Sequence, residues 1–320
     1  MNKYIKKINI GNIEIKNNVF LAPMAGITDR AYRKLAKEFG AGLTYTEMAS
    51  SRAIQFSSKK TEDILEILEE EKPSVVQIFG HTKEDISYMI NYLNERNDVD
   101  IIDINMGCPA PKLVKNGDGS GLLKDLDNVK EILTEAIKVS KKPVTVKTRI
   151  GINGKVTAID LAKMCEEIGI SAITIHGRTR EQYYSGVADL DIIKQVKEIV
   201  KIPVIGNGDI TDIDSMNKMF EYTKCDAVMI GRAAIGKPYI FKELLENKNN
   251  ELSKKEILNI MNKHIDNLIK YDGIDSYVKF RKHAAFYLKG IENSSIVKNE
   301  INKAITYEKI KEIIKEFLGD

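Results

Sequence analysis

The chain has no tryptophan, and only three cysteines, four histidines and seven prolines among its 320 residues. The cysteines, Cys108, Cys165 and Cys225, are too few and too widely spaced for a disulfide framework. No Cys-x-x-Cys or His-x-His pair occurs, so spacing predicts no metal site. No run approaches the ~20 apolar residues that a membrane-spanning helix needs. The opening residues, Met1 to Lys7, hold neither an apolar run nor a small-residue cleavage site, which argues against a secretory signal. A reducing, cytoplasmic setting is the expectation that remains. A large charge excess is also missing, since the formal net charge is +3. That value neither demands nor excludes a nucleic-acid partner; a local basic patch would have to recruit one.

What the chain does have is a recurring pattern. Residues 8–15 alternate apolar and polar side chains about Gly11-Asn12, the signature of a hairpin. Short apolar, β-branched runs then recur at 19–22, 43–46, 74–78, 101–105, 144–147, 172–175, 204–205 and 227–230. Amphipathic stretches lie between them, among them 30–39, 83–94, 128–140, 159–168 and 189–200. Strands alternating with helices imply a parallel sheet, and apolar strands imply a sheet covered on both faces. Eight such units predict a closed (β/α)8 TIM barrel of the α/β class. A doubly wound open sheet is the competing architecture, but its glycine fingerprint does not follow the first strand.

Past Phe241 the pattern becomes helical only. Ser253-Lys254-Lys255-Glu256 has the form of a capping box opening a helix to about residue 270. Further helical periodicity covers 277–289, 296–305 and 307–317. The polar stretch at 247–250 reads as a linker. The expected organisation is a barrel domain over 1–246 and a small C-terminal all-helical domain over 251–320.

Barrel chemistry sits at the C-terminal ends of the strands. Here nearly every expected strand ends in polar or glycine-rich residues. These are Pro23-Met24-Ala25-Gly26, Glu47, Gln77, Asn105 with Met106-Gly107-Cys108-Pro109, Lys147-Thr148-Arg149, His176-Gly177-Arg178, Gly206-Asn207-Gly208-Asp209 and Gly231-Arg232. Glycines in the last two turns let backbone N–H groups approach an anion, and Arg232 can clamp it. The plainer reading is a pair of tight turns. Lys147 interrupts an apolar strand, which suits an anion partner, Schiff-base chemistry or a rim lysine reaching water. His176 is a ligand contact or a satisfied core histidine. Cys165 and Cys225 read as core residues. Cys108, fixed between Gly107 and Pro109 on a rim loop, is placed to act as acid, base or nucleophile. The stretch 112–121 reads as a glycine-rich loop able to order over a substrate.

Taken together, Ala22-Pro23-Met24-Ala25-Gly26-Ile27-Thr28-Asp29, Asn105-Met106-Gly107-Cys108-Pro109, Lys147-Thr148-Arg149-Ile150-Gly151, His176-Gly177-Arg178-Thr179-Arg180, Gly206-Asn207-Gly208-Asp209-Ile210 and Gly231-Arg232-Ala233-Ala234 resemble the tRNA-dihydrouridine synthase family, nearest its bacterial B-type branch. The resemblance implies an enzyme that reduces uridine to 5,6-dihydrouridine in tRNA, with FMN as cofactor and NADPH as reductant. Under it, Pro23, Met24 and Ala25 line the flavin, and Gln77 and Lys147 hydrogen-bond its ring. His176 contacts the flavin or the target base. Asn207, Gly208, Asp209, Gly231 and Arg232 hold the ribityl phosphate, and Cys108 donates the proton. Asn105, Arg149, Arg178 and Arg180 are the expected tRNA contacts, joined by Lys279, Arg281 and Lys282 of the helical part. No membrane and no stable protein partner is implied. Leu190 and Tyr239 stand where the family often has tryptophan, Lys237 replaces a common asparagine and Gly121 a common alanine. The rival readings are a small-molecule flavin oxidoreductase of dihydroorotate-dehydrogenase type, a flavin-free Schiff-base lyase and a non-catalytic RNA-binding barrel.

Overall fold

A computed structural model describes residues 2–319. The chain opens with an antiparallel hairpin, β1 (Ile8–Ile10) and β2 (Ile13–Ile15), in which Ile8 faces Ile15. Its turn runs through Gly11 at φ +57°, and a Cβ there would lie 2.8 Å from the Pro143 ring. Ile8, Ile10 and Ile15 share one buried cluster with Phe20, Tyr45, Val75, Ile101, Ala172 and Ile205. The hairpin therefore plugs the foot of the barrel, where the strands begin.

Eight strands follow in one parallel sheet. They are β3 (Val19–Leu21), β4 (Ala49–Ser50), β5 (Val75–Phe79), β6 (Ile101–Met106), β7 (Val144–Arg149), β10 (Ala172–His176), β11 (Val204–Asn207) and β12 (Ala227–Ile230). A side hairpin, β8 (Gly151–Ile152) with β9 (Lys155–Val156), interrupts the series. The sheet order is β3-β12-β11-β10-β7-β6-β5-β4, with every neighbouring pair parallel. Helices cover its outside: α1 (Arg30–Glu38), α2 (Ser51–Ile54), α3 (Lys59–Leu65), α4 (Lys83–Asn94), α5 (Pro111–Asn116), α6 (Leu126–Val139), α7 (Ala158–Ile168), α8 (Leu190–Ile199), α9 (Ile213–Thr223) and α10 (Ile240–Glu246).

The second strand differs from the expectation. Regular pairing is confined to Ala49–Ser50, beyond the predicted 43–46. Residues 42–46 still occupy the gap between β3 and β5. Gly42 N–H donates to Val19 (2.8 Å), Leu21 N–H to Leu43 (2.9 Å) and Thr46 N–H to Val75 (3.0 Å). The ring closes through these single bonds, so the architecture is a (β/α)8 barrel. Gly42 fits tightly against Asn17, whose backbone O lies 2.2 Å from where a Cβ would sit.

The stretch 112–121 is also not a free lid. Pro111 occupies the first turn of α5, and Gly117 ends it at φ +92°. A 3-10 turn over Gly119–Lys124 then buries Gly119, Ser120, Gly121, Leu122 and Leu123. Two leucines entering the core give this segment more burial than its glycines suggested.

Strand alternation of period two sorts the barrel side chains. Val76, Ile102, Ile104, Val144, Val146, Ile173 and Ile175 join the layer under the helices. The intervening positions face inward. They run from the apolar foot, through Gln77, Asp103, Thr145 and Thr174, to Asn105, Lys147, His176 and Asn207 at the top.

Among the described residues no strand lies beyond Ile230. Four helices follow: α11 (Lys254–Asp272), α12 (Tyr277–Tyr287), α13 (Ser294–Lys303) and α14 (Tyr307–Leu318). Ser253 caps α11 in the expected box with Glu256. These helices bury their own apolar cluster, including Met261, Phe280, Ile301 and Ile314, and Ala31 of α1 joins it. Ion pairs Arg30–Asp272 (3.0 Å) and Lys263–Glu38 (2.8 Å) tie α11 to α1. Among the described residues no helix is long and apolar enough to cross a membrane.

Candidate active site

The upper interior layer is polar and built on four adjacent strands. Register places Asn105 of β6 beside Lys147 of β7, and His176 of β10 beside Asn207 of β11. Lys147 Nζ donates to Asn207 Oδ1 at 3.2 Å, and Asn207 Nδ2 donates to the Met229 carbonyl at 2.8 Å. Burial pushes the Lys147 ammonium down to about 8, with Arg149 adding to the effect and Asp103 and Cys108 opposing it. A cation held there without a carboxylate partner favours an anionic or electron-rich ligand.

Beneath this layer lies a buried polar chain. Asn105 donates to Gln77 Oε1 (2.9 Å), Gln77 Nε2 to Asp103 Oδ2 (2.7 Å) and Thr145 Oγ1 to Asp103 Oδ1 (2.6 Å). Burial raises the Asp103 carboxyl to about 6 against the hydrogen bonds from Gln77 and Thr145. One donor hydrogen and one lone pair of the Gln77 amide remain free of these bonds.

Asn105 also shapes the loop after β6. Its Oδ1 accepts from Gly107 N–H (3.2 Å) and Cys108 N–H (2.9 Å). The Cys108 carbonyl accepts from Ser120 N–H (3.0 Å) and Ser120 Oγ–H (2.8 Å). The backbone is thus fixed on both sides while the residue stays partly exposed. Burial pushes the thiol above its ordinary value, outweighing the Ala110 amide and the charges of Arg149 and Lys147. Cys108 is therefore a thiol at neutral pH and carries a transferable proton. Cys165 and Cys225 are buried, as expected.

The arginines differ from the expectation of direct nucleic-acid contact. Arg149 is 2 % exposed and donates to the carbonyls of Gly107, Thr179 and Tyr183 at 2.8–2.9 Å. Arg178 is 1 % exposed; it donates to the Ser185 and Gly186 carbonyls and to both oxygens of Asp209. Both side chains pin rim loops in place. Arg180 is less enclosed and lies 5.6 Å from the Tyr183 ring.

His176 lies 3.4 Å from Arg178 through Nε2. Burial drives its pKa down to about 2, helped by Lys147, Arg149, Arg178 and Arg232. The imidazole is neutral. The turn after β11 holds Gly208 at φ +126°, where a Cβ would lie 2.7 Å from that of Ala188. Only glycine brings the backbone this close. Arg232, after Gly231, has a half-exposed side chain. It lies 3.2 Å from Asp209 Oδ1 and 4.6 Å from the Tyr184 ring centre. Asp209, an expected phosphate contact, thus bridges two arginines. On the first loop Pro23 and Met24 are partly exposed and Ala25 is exposed. Thr28 Oγ1 accepts from Met24 N–H (3.0 Å), and Glu47 accepts from Gly26 N–H.

Cys108, Lys147, His176 and Arg232 thus share one rim, linked through Arg149, Asn105, Asn207 and Asp209. Sequence reading missed Asp103, Thr145 and Tyr184. The parity of Asp103 within an apolar strand is a signal that would have found it. Tyr184 carries none, because its loop is set by tertiary contacts.

The Dihydrouridine synthase (Dus) family model matches residues 20–318. The chain is 40% identical over 306 residues to the tRNA-dihydrouridine synthase B of Pasteurella multocida, covering 93% of this chain and 92% of that protein. It is 39% identical over 318 residues to the probable tRNA-dihydrouridine synthase of Rickettsia bellii, covering 97% of each. Similar solved structures include histamine dehydrogenase from Rhizobium sp. 4-9 (TM-score 0.56, 14% identity, 82% of this chain and 51% of that one). A 2-naphthoyl-CoA reductase complex is comparable (TM-score 0.59, 15% identity, 76% and 52%). The chain spans about half the length of these two structures, and the likeness to them is one of fold. With its motifs in order around one barrel rim and close relatives over nearly its full length, the chain belongs to the dihydrouridine synthase family.

Proposed function

We propose that this protein reduces uridine to 5,6-dihydrouridine in tRNA, using FMN at the barrel mouth and NADPH as electron donor. The observation that carries the reading is the placing of the Cys108 thiol on the same rim as a neutral histidine, an interior lysine and cation-bearing glycine turns. Lys147, Arg149, Arg178 and Arg232 surround a rim where Asp209 already serves two arginines. That surplus of positive charge fits a phosphorylated, electron-rich cofactor.

Held by these residues, a flavin would supply the hydride that C6 of the uracil ring takes up. Cys108 delivers its proton to C5. Lys147 would stabilise negative charge on the reduced ring, and neutral His176, whose Nε2 faces the Arg178 guanidinium, would offer its Nδ1–H to cofactor or base. Gln77 presents its remaining amide group. Pro23, Met24 and Ala25 supply apolar contact. Asn207, Gly208, Gly231 and Arg232 form the phosphate cradle, and Asp209 orients Arg232 within it.

The work divides between a barrel domain over 1–246 and a helical tRNA-binding domain over 251–320. Arg149, Arg178 and Asn105 act on tRNA through the loops they hold. Arg180 and Lys282 contact phosphates directly. A target base must leave its stack to reach the rim. Activity on tRNA implies a cytoplasmic location.

Nucleoside mass spectrometry of tRNA from cells lacking this protein, with position mapping, tests the reading. Loss of dihydrouridine at defined positions, restored by the purified yellow protein with NADPH, is expected. Unchanged dihydrouridine together with a colourless purified protein overturns it. Arg232→Ala should release flavin on desalting.

A further inference from the structure

The junction of barrel and helices holds a second group of chemistry-bearing side chains. Asp29 caps α1, His264 lies on α11 and His283 on α12. One donor atom from each lies within 4.8 Å of the other two. Both histidines are 0% exposed. Among the described residues, three of their four ring nitrogens, His264 Nε2 and both of His283, have no hydrogen-bond partner. The fourth, His264 Nδ1, lies 3.1 Å from the Tyr287 hydroxyl. Asp29 Oδ1 accepts from Tyr32 N–H (2.9 Å), while Oδ2 faces His283 Nε2 at 3.5 Å. Tyr32, Phe280 and Tyr287 pack around the imidazoles.

Buried polar atoms normally find partners, because leaving them bare forfeits the hydrogen bonds they made with water. A proton shared between His283 and Asp29 would satisfy one of the three bare nitrogens. It would leave His264 Nε2 with nothing to bond. One cation placed among the three side chains serves His264, His283 and Asp29 together.

We propose that Asp29 Oδ2, His264 Nε2 and His283 Nε2 bind a single divalent transition-metal ion, with zinc as its occupant. Zinc takes imidazole nitrogen and carboxylate oxygen at about 2.0–2.2 Å in tetrahedral geometry, so donors stand about 3.4 Å apart. The Asp29–His283 pair is already at that separation. His264 closes the remaining distance by a small side-chain adjustment. Its Nδ1–H donates to the Tyr287 hydroxyl, the outer contact that fixes the tautomer and turns the Nε2 lone pair inward. Two imidazoles and one carboxylate favour zinc over magnesium or calcium, which prefer oxygen donors. Three protein donors leave a fourth corner for water. The ion would fasten α11 and α12 to the cap of α1, three residues after Gly26 of the proposed cofactor loop.

The test uses the full-length, tag-free protein, because a polyhistidine tag brings its own ions. Elemental analysis of protein purified without chelator should find about one zinc per chain. After chelator treatment, titration with Co2+ should give the visible absorption of a four-coordinate ion at about one equivalent. Zinc should displace it. The spectrum should lack a sulfur-to-metal charge-transfer band, which separates this site from binding at Cys108. His264→Gln and His283→Gln should each remove the cobalt spectrum. The wild-type titration is decisive if those variants fail to fold. Substoichiometric zinc together with no cobalt spectrum in the wild type would overturn the proposal and leave a proton as the occupant. Neither readout depends on flavin or on activity.

Discussion

The Cys108 amide donates to Asn105 while its carbonyl accepts twice from Ser120, so the residue is positioned through its main chain and the thiol stays free to react. Replacing the sulfur should leave that geometry intact. Cys108→Ala is expected to retain flavin and NADPH oxidation while lowering dihydrouridine formation at least 100-fold, the scale of a lost general acid. Single-turnover assays on unmodified tRNA check this, and full product would remove the thiol from the mechanism. Lys147 makes a second residue-level prediction. Its pKa is depressed to about 8 from an ordinary 10.5. Between those values the unfolded chain binds the extra proton, so stability rises with pH across that window. Below about pH 8 the buried charge is a standing cost, on the order of 3 kcal/mol at most. Lys147→Met should therefore raise the Tm of the flavin-free protein by a few degrees at pH 7. The difference should vanish above about pH 10.5. A Tm gain that persists there would point to packing as the cause.

At the scale of elements, the segment after α5 decides how the cysteine is presented. Its expected character as an open glycine loop follows from composition, which cannot see that Leu122 and Leu123 enter the core. Gly119 sits at φ +56°, and a Cβ there would meet the Cys108 carbonyl oxygen at 2.9 Å and its Cβ at 3.0 Å. Gly119→Ala should cost about 1–3 kcal/mol of stability through backbone strain and displace the cysteine loop. Chemical denaturation measures the first effect. For the second, product formation should fall about tenfold while flavin reduction by NADPH is unchanged. Equal loss in both half-reactions would show that the cofactor site, not the loop, had moved.

Across the whole molecule, α12 overhangs the mouth. Lys282 is exposed and forms no ion pair among the described residues. Its ammonium lies 3.1 Å from where a Gly26 Cβ would stand. Lys279 is instead paired with Asp272 (3.1 Å), and Arg281 donates to the Ala304 carbonyl. Lys282 is thus the best placed of the three to meet a phosphate. Lys282→Ala should weaken binding to all tRNA substrates alike and flatten the salt dependence by about one unit of slope. Thermal stability should not change. Filter binding across a salt series distinguishes this from an effect on one tRNA only.

Local signals in the sequence determined the alternation of strands and helices, the foot hairpin, the α11 cap and the identity of the rim residues. Periodicity and capping act over a few residues, and strand ends are adjacent to the strands that reveal them. Tertiary structure alone decided what those residues touch. It turned Arg149 and Arg178 inward, because the Thr179 carbonyl and the Asp209 carboxylate, each about thirty residues away, were there to receive them. It let isolated bonds from residues 42–46 close the ring. It also brought Asp29 against His264 and His283, since donors from opposite ends of the chain meet only when α11 and α12 pack on α1.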